Sequence, residues 1–229
     1  MDNIALEARG LNKVYSSEAD ELYALRNVSF SVKKGEFVAI VGPSGSGKST
    51  LLNLIGALDT PSSGKVLIDG VDIFSLHPQE IAKMRNRLIG FIFQSYNLIN
   101  RASVLRNVEL PATVRGIDRS ERRDRALKVL EVLGISDKAN HKPNQLSGGQ
   151  QQRVAIARSL MNNPAIILAD EPTGNLDTRT GNDVFALLKM LSHKYRRTIV
   201  MVTHNLDLSA VTDRAIHVRD GMIEKEVLN

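Results

Sequence analysis

The stretch "GPSGSGKST", Gly42 to Thr50, carries the most specific chemistry in the chain. It follows a continuous apolar run, "FVAIV", and leads into the helical pattern "TLLNLIGAL". In that setting Gly42, Gly45 and Gly47 allow backbone N–H groups to converge on phosphate oxygens, and Pro43, Ser44, Ser46 and Thr50 complete the pattern. The helix start adds partial positive charge. Lys48 is spaced to pair with β- and γ-phosphates, and the Ser49 hydroxyl to ligate Mg²⁺.

A second element, "IILADE", supplies acids. Asp170 closes an apolar strand, at the end of an α/β sheet where ligands bind, and suits Mg²⁺ or its hydration shell. Glu171 follows and points elsewhere, so it can reach a water aligned on a γ-phosphate; its structural alternative is a cap or an ion pair. Gln94 after "GFIF" and His204 after "TIVMVT" also end apolar runs. Taken singly each reads as structural, but their shared place at strand ends, beside the loop and the acids, points to the same site.

The stretch "NQLSGGQ", Asn144 to Gln150, is a second glycine-rich helix start. Ser147 and Gln150 have capping-box spacing. Gly148 and Gly149 exceed what a cap needs, and they leave bare amides at a positive helix end, a surface for an anion. The chain has a single phosphate loop, so this second surface has no nucleotide of its own.

The elements that must hold these groups follow from periodicity. "VSFSV" alternates as a half-buried strand, and "GKVLIDGVDI" reads as a strand broken by an Asp-Gly turn. From Val104 to Gly134 helical periodicity dominates, broken at Pro111 and at "RGIDRS", with Ala126, Leu127, Leu130 and Leu133 on one face and Gly134 as a stop. Arg122, Arg123, Arg125 and Lys128 read as a solvated face. A helix from Gln150 to about Met161, the strand "AIILAD", a helix from Asp183 to about His193, the strand "TIVMVT" and a closing hairpin at Asp220-Gly221 complete the pattern. Alternation of helices with short apolar runs predicts a mainly parallel sheet covered on both faces.

Composition narrows the function classes. With 229 residues, 42 % hydrophobic and 24 % charged, a globular α/β domain is expected. The absence of Cys removes thiol catalysis and thiolate metal sites, and the five His lack zinc-ligand spacing. The net charge of +5 is that of an ordinary basic surface. No run approaches the roughly 18 apolar residues of a membrane span. The start, "MDNIALEARG", has no signal-peptide character, so a cytoplasmic chain is expected.

Taken together, "GPSGSGKS", Gln94, "LSGGQ", "ILADE", "NLD" at Asn175 to Asp177, and His204, in this order, resemble the nucleotide-binding subunit of an ATP-binding-cassette (ABC) transporter. The motifs span the chain nearly end to end. The resemblance implies a P-loop NTPase core with a mainly parallel sheet, an antiparallel β subdomain and an inserted helical subdomain. Residues 1–94 and 146–229 would form the core and 95–145 the helical part of a single domain. It implies an ATPase that works as an ATP-dependent head-to-tail homodimer, the "LSGGQ" start of one copy meeting ATP on the other's phosphate loop. Asn144, Ser147, Gly148, Gly149 and Gln150 would thus serve the neighbour's nucleotide, with Asp177 across the interface. Tyr15 would stack on adenine, with Tyr23 a weaker candidate expected in core or strand packing. Gln94 would join Mg²⁺ and the membrane partner, and His204 would hold the γ-phosphate.

An integral membrane permease is the implied partner, with no nucleic acid, on the inner face of the cell membrane. "LIGFIFQSYNLINRASVLRNVELP" and "ILADEPTGNLD" are similar to the macrolide-exporter and lipoprotein-release branch, which includes a cell-division relative that signals rather than transports. The chain is expected to lack a fused membrane domain and a long C-terminal regulatory domain. A DNA-repair ATPase of the same motif set would need long coiled coils before "LSGGQ", where only a short helical stretch stands.

Overall fold

The computed structural model describes residues 3–16 and 20–229. Strands β1 (Ile4–Ser16) and β2 (Glu21–Lys33) pair antiparallel, and β4 (Ser63–Ile68) and β5 (Val71–Asp72) extend them into a sheet ordered β2-β1-β4-β5. A six-stranded sheet is built from β3 (Phe37–Val41), β6 (Ile89–Ile92), β7 (Ile166–Asp170), β8 (Ile199–Thr203), β9 (Arg214–Arg219) and β10 (Met222–Leu228). Its order is β10-β9-β3-β8-β7-β6, parallel except for the terminal β9–β10 hairpin.

Every residue of β3 is buried, because both faces of the parallel sheet are covered. Phe37, Ala39 and Val41 enter one core and Val38 and Ile40 the other, as the two-residue period of a strand requires. The second core holds α1 (Lys48–Ile55) and the antiparallel sheet against the parallel one. The first packs α3 (Val104–Val114), α4 (Arg119–Val132), α5 (Gly148–Leu160) and α6 (Thr178–Tyr195) on the opposite face. Helices α2 (Pro78–Leu88) and α7 (Leu206–Ser209) complete the fold. The architecture is the expected mixed α/β one, with parallel core and antiparallel subdomain.

Three local expectations are corrected. Helix α3 passes through Pro111 rather than breaking there. The missing N–H falls in the last turn, where one bond is lost, while Val104, Leu105, Val108 and Ala112 stay buried and keep the helix seated. Helix α6 begins at Thr178, not near Asp183, because Asp177 caps it by accepting from the Thr180 N–H at 3.1 Å. Gly181 in the first turns weakens the sequence pattern there. The fully solvated basic face of α4 is also incorrect for Arg122, which donates to the Ile117 carbonyl at 3.1 Å.

Candidate nucleotide-binding site

The phosphate loop runs from the C-terminal end of β3 to Gly47, the left-handed N-cap of α1 (φ 99°), where no side chain caps the helix. A Cβ on Gly47 would lie 2.6 Å from the Ala24 carbonyl oxygen, and one on Gly42 2.1 Å from that of Val218. Glycine is therefore required at both places by close backbone approach. The Lys48 ammonium donates to the carbonyls of Gly42 and Pro43, both at 2.8 Å, which curls it over the loop. Ser46 N–H closes the turn on the Pro43 carbonyl, while the buried Ser46 hydroxyl has no hydrogen-bond partner.

Around this loop lies a cleft of about 690 Å³. Ser44, Gly45, Gly47, Lys48, Ser49 and Thr50 form its floor, and Glu171 and His204 one wall. Tyr15 forms the other side; its hydroxyl donates to Asp59 at 2.8 Å and Lys13 sits 4.7 Å from its ring centroid. Burial pushes the Tyr15 phenol up, and the Asp59 hydrogen bond adds to this. Tyr23 lines the same cleft with 48 % exposure, its ring facing the Arg26 guanidinium at 5.1 Å. Of the two alternatives expected for Tyr23, the strand holds and the core does not: it lies in β2 on an exposed face, and alternation along the strand did not reveal which face opens on the cleft.

The acids stand as the strand end predicts. Burial, then the Glu171 carboxylate, push the Asp170 carboxyl above its ordinary range, against the pull of Lys48. Among the described residues no three or more His, Cys, Asp or Glu side chains gather to hold a metal by themselves. Asp170, the Ser49 hydroxyl and the Gln94 amide oxygen are hard oxygen donors of the kind that suit a Mg²⁺ keeping water and phosphate ligands. Glu171 has a left-handed backbone (φ 42°), and its carboxylate lies 3.1 Å from His204 Nδ1.

Gln94 is tied to Asn175 in both directions, donating from Nε2 at 3.2 Å and accepting at its carbonyl at 3.0 Å. A Cβ on Gly174 would lie 2.7 Å from Gln94 Nε2 and 3.2 Å from Glu171 Oε2, so a bare glycine lets the two approach. The fully buried Gln152 on α5 supports this turn by donating to the Pro172 carbonyl at 2.6 Å. Gln152, Asn175 as Gln94's partner, Lys13 and Asp59 also support the site; their partners are distant in sequence, so no local pattern marks them.

Ser147, Gly148, Gly149, Gln150, Asn144 and Asp177 do not line this cleft. The capping box is present: Ser147 Oγ accepts from the Gln150 N–H at 3.3 Å and Gln150 Oε1 from the Ser147 N–H at 2.9 Å. Both glycines have a packing reason that the sequence did not show. A Cβ on Gly149 would lie 2.3 Å from Thr180 Cγ2, and one on Gly148 2.9 Å from the Tyr96 hydroxyl. The start of α5 is thus seated against the start of α6, with exposed Asn144 and Asp177 nearby in the chain.

The family model described as ABC transporter matches residues 25–174. An uncharacterised ABC transporter ATP-binding protein of Thermotoga maritima is 53 % identical over 93 % of this chain and 90 % of its own length. Its counterpart MJ0796 of Methanocaldococcus jannaschii is 49 % identical over 96 % of both chains. A solved dimeric structure of the MJ0796 cassette superposes with a TM-score of 0.89 at 48 % identity, over 97 % of this chain and 98 % of that one. A second MJ0796 structure, a dimeric post-hydrolysis state with ADP and Pi, gives 0.88 at the same identity, again over 97 % of this chain and 98 % of that one. The macrolide export ATP-binding/permease protein MacB of Vibrio parahaemolyticus is 45 % identical over the whole chain, which spans 35 % of MacB's length. The phosphate loop, the acid pair and the separate glycine-rich helix start therefore have one family setting: the chain belongs to the ABC transporter family and is one of its ATPases.

Proposed function

We propose that this chain is the ATP-hydrolysing subunit of an export-type transporter, working as a head-to-tail homodimer on a membrane permease. One observation carries the reading. The chain has two glycine-rich helix starts suited to anions, and only that of α1 opens on the nucleotide cleft. A second copy, turned to face the first, brings Ser147 and the N–H groups of Gly148 and Gly149 to the open side of the bound triphosphate. The dimeric MJ0796 structures, one of them with ADP and Pi, support the arrangement.

In this reading Gly42 to Thr50 hold the phosphates, with Lys48 leaving the loop carbonyls for the β- and γ-phosphates. Tyr15 stacks on the base. Ser49, Asp170 and Gln94 would hold Mg²⁺, which would neutralise charge on the phosphate oxygens. Glu171 orients the attacking water and accepts its proton, and His204, at 3.1 Å from that carboxylate, fixes it and faces the γ-phosphate. ATP favours the closed dimer to the extent that it binds both surfaces, and loss of the γ-phosphate removes that preference.

Residues 95–145, centred on α3 and α4, form the helical lobe that meets the permease. Between this lobe and the core runs an apolar groove of about 430 Å³, walled by Leu58, Phe91, Phe93, Leu110 and Val114. It is a fitting seat for a short permease helix, and it would hold the chain at the inner membrane face. No helix of the described residues is long and apolar enough to cross a membrane. The similarity to MacB, a macrolide export ATP-binding/permease protein, supports export as the direction.

The test is light scattering of Glu171→Gln with and without ATP–Mg²⁺, beside a tagged chain recovered from membranes of its host. A dimer that needs ATP and is lost on Ser147→Arg, with a co-purifying permease, is the expected result. A strictly monomeric Glu171→Gln protein beside a rapidly hydrolysing wild type overturns the shared site.

A further inference from the structure

A second cavity, of about 390 Å³, opens at the end of the parallel sheet opposite the phosphate loop. Leu88, Ala165 and Thr198, which line it, immediately precede β6, β7 and β8, and Lys34 lies just before β3. It adjoins the apolar groove. Asn162, only 7 % exposed, lines both. Asn86 and Val114 line the groove, while their chain neighbours Arg87 and Arg115 line the cavity.

The cavity is cationic. Lys34, Arg87, Arg115 and Arg196 face it with Asp69 as the one carboxylate, and Lys34 pairs with that acid. The side chains of Arg87, Arg115 and Arg196 are exposed and make no hydrogen bond or ion pair with any other described residue. Nearby guanidinium groups are occupied: Arg85 donates to the Ala57 carbonyl, Arg158 to those of Tyr96 and Asn97, and Arg197 to Asn163. The three unoccupied residues stand at the C-terminal ends of α2, α3 and α6, where cations complement the helix dipole. That accounts for only part of the charge, since each helix end supplies roughly half a negative charge. Four cationic side chains against one carboxylate leave the cavity positive.

We propose that this cavity receives carboxylates of the permease, so that the segment seated in the groove is amphipathic, an apolar helical turn flanked on one side by Asp or Glu. The inference rests on the docking reading above. A peptide suits the site better than a lipid headgroup. The apolar walls call for side chains, and the exposed Asn97 on the groove can meet a peptide N–H or C=O group, whereas a headgroup needs only the cations. The charge would fix which end of the partner helix lies over the sheet and would favour acidic partners over neutral ones.

The test uses the co-purifying permease reconstituted in neutral phosphatidylcholine nanodiscs, with binding measured against added full-length chain. The charge-reversed variant Arg87→Glu/Arg115→Glu/Arg196→Glu is expected to bind about tenfold more weakly, as three partly exposed pairs together allow. Its ATPase activity without permease should stay at the wild-type value, the Lys triple variant should recover most of the binding, and wild-type binding should weaken with salt. Should charge reversal disturb folding, the Gln triple variant and the salt titration of the wild type carry the same test. The groove variant Val114→Asp separates the two readings. If Val114→Asp abolishes binding but charge reversal changes nothing, the carboxylate proposal is overturned and the docking face stands. If neither change matters, the docking face itself is wrong, and this inference falls with it. Charge-dependent binding of the chain alone to phosphatidylglycerol vesicles, with permease binding unaffected by the reversal, would assign the cavity to lipid and overturn the proposal.

Discussion

Helices α1 and α5 both begin at glycine-rich turns, yet they treat their first amides differently. The start of α1 hangs on Gly47 in a left-handed conformation with no side-chain cap, and its amides face an open cleft. The start of α5 is closed by its own sequence, Ser147 and Gln150 satisfying each other's N–H groups. Glycine also has different tasks at the two places. At Gly47 it admits a backbone that approaches another backbone, whereas Gly149 makes room for the Thr180 methyl group. The first start has no side-chain cap, and the second is closed by its own capping box with Gly149 buried against α6. That division suits a protein whose first anion surface must bind nucleotide as a monomer and whose second acts only when a partner brings phosphate to it.

The largest effect expected concerns the α1 side. Glu171→Gln should lower kcat by about 10²–10⁴-fold with nucleotide affinity retained, as measured by steady-state phosphate release and fluorescent-nucleotide titration. A loss of affinity equal to the loss of rate would mean that Glu171 holds the cleft together rather than the water. Next come the glycines. Gly47→Ala combines a positive φ with a 2.6 Å backbone clash, and should cost about 1–3 kcal/mol in urea unfolding together with nucleotide binding. Gly149→Ala meets only a methyl group, so the double change Gly149→Ala/Thr180→Ser should recover the lost stability; failure to recover would place the strain elsewhere in α5.

A smaller effect is expected at the cap. Ser147→Ala should cost about 1 kcal/mol of stability and leave nucleotide binding by the monomer unchanged. Equal weakening of monomer binding would erase the distinction between the two starts. The smallest is a pH effect at Asp170. Its folded carboxyl is raised by burial and by Glu171, so the native state binds the proton more tightly than the unfolded chain. The stability this contributes is complete below the ordinary Asp range and is lost as pH rises through the folded value. Nucleotide-free Asp170→Asn should therefore melt higher than wild type at neutral pH, with the gain fading as pH falls through that window. A gain that persists in strong acid would assign it to packing instead.

Legibility followed the range of the interactions involved. The phosphate loop, the strand-end acids and the capping box are local devices, each specified by a few consecutive residues whose chemistry has few structural alternatives, and they stand where the sequence puts them. Gln94 and His204 needed the further inference that strand ends meet, which the parallel sheet provides. The continuation of α3 through Pro111 and the exposure of Tyr23 were not legible, because a local rule was overridden in the first case and a strand face had no unique reading in the second.

By itself the sequence determined the α/β class, the nucleotide chemistry and the separation of two anion-suited helix starts, since glycine spacing, apolar runs and side-chain identity act over short distances. Tertiary structure alone decided that Gly149 must accommodate Thr180, that Gly174 leaves room for the Gln94 and Glu171 side chains, and that three guanidinium groups from three helices line one cavity without partners among the described residues. Those contacts join residues far apart in the chain. Close packing of the folded domain selects them, and no periodicity records them.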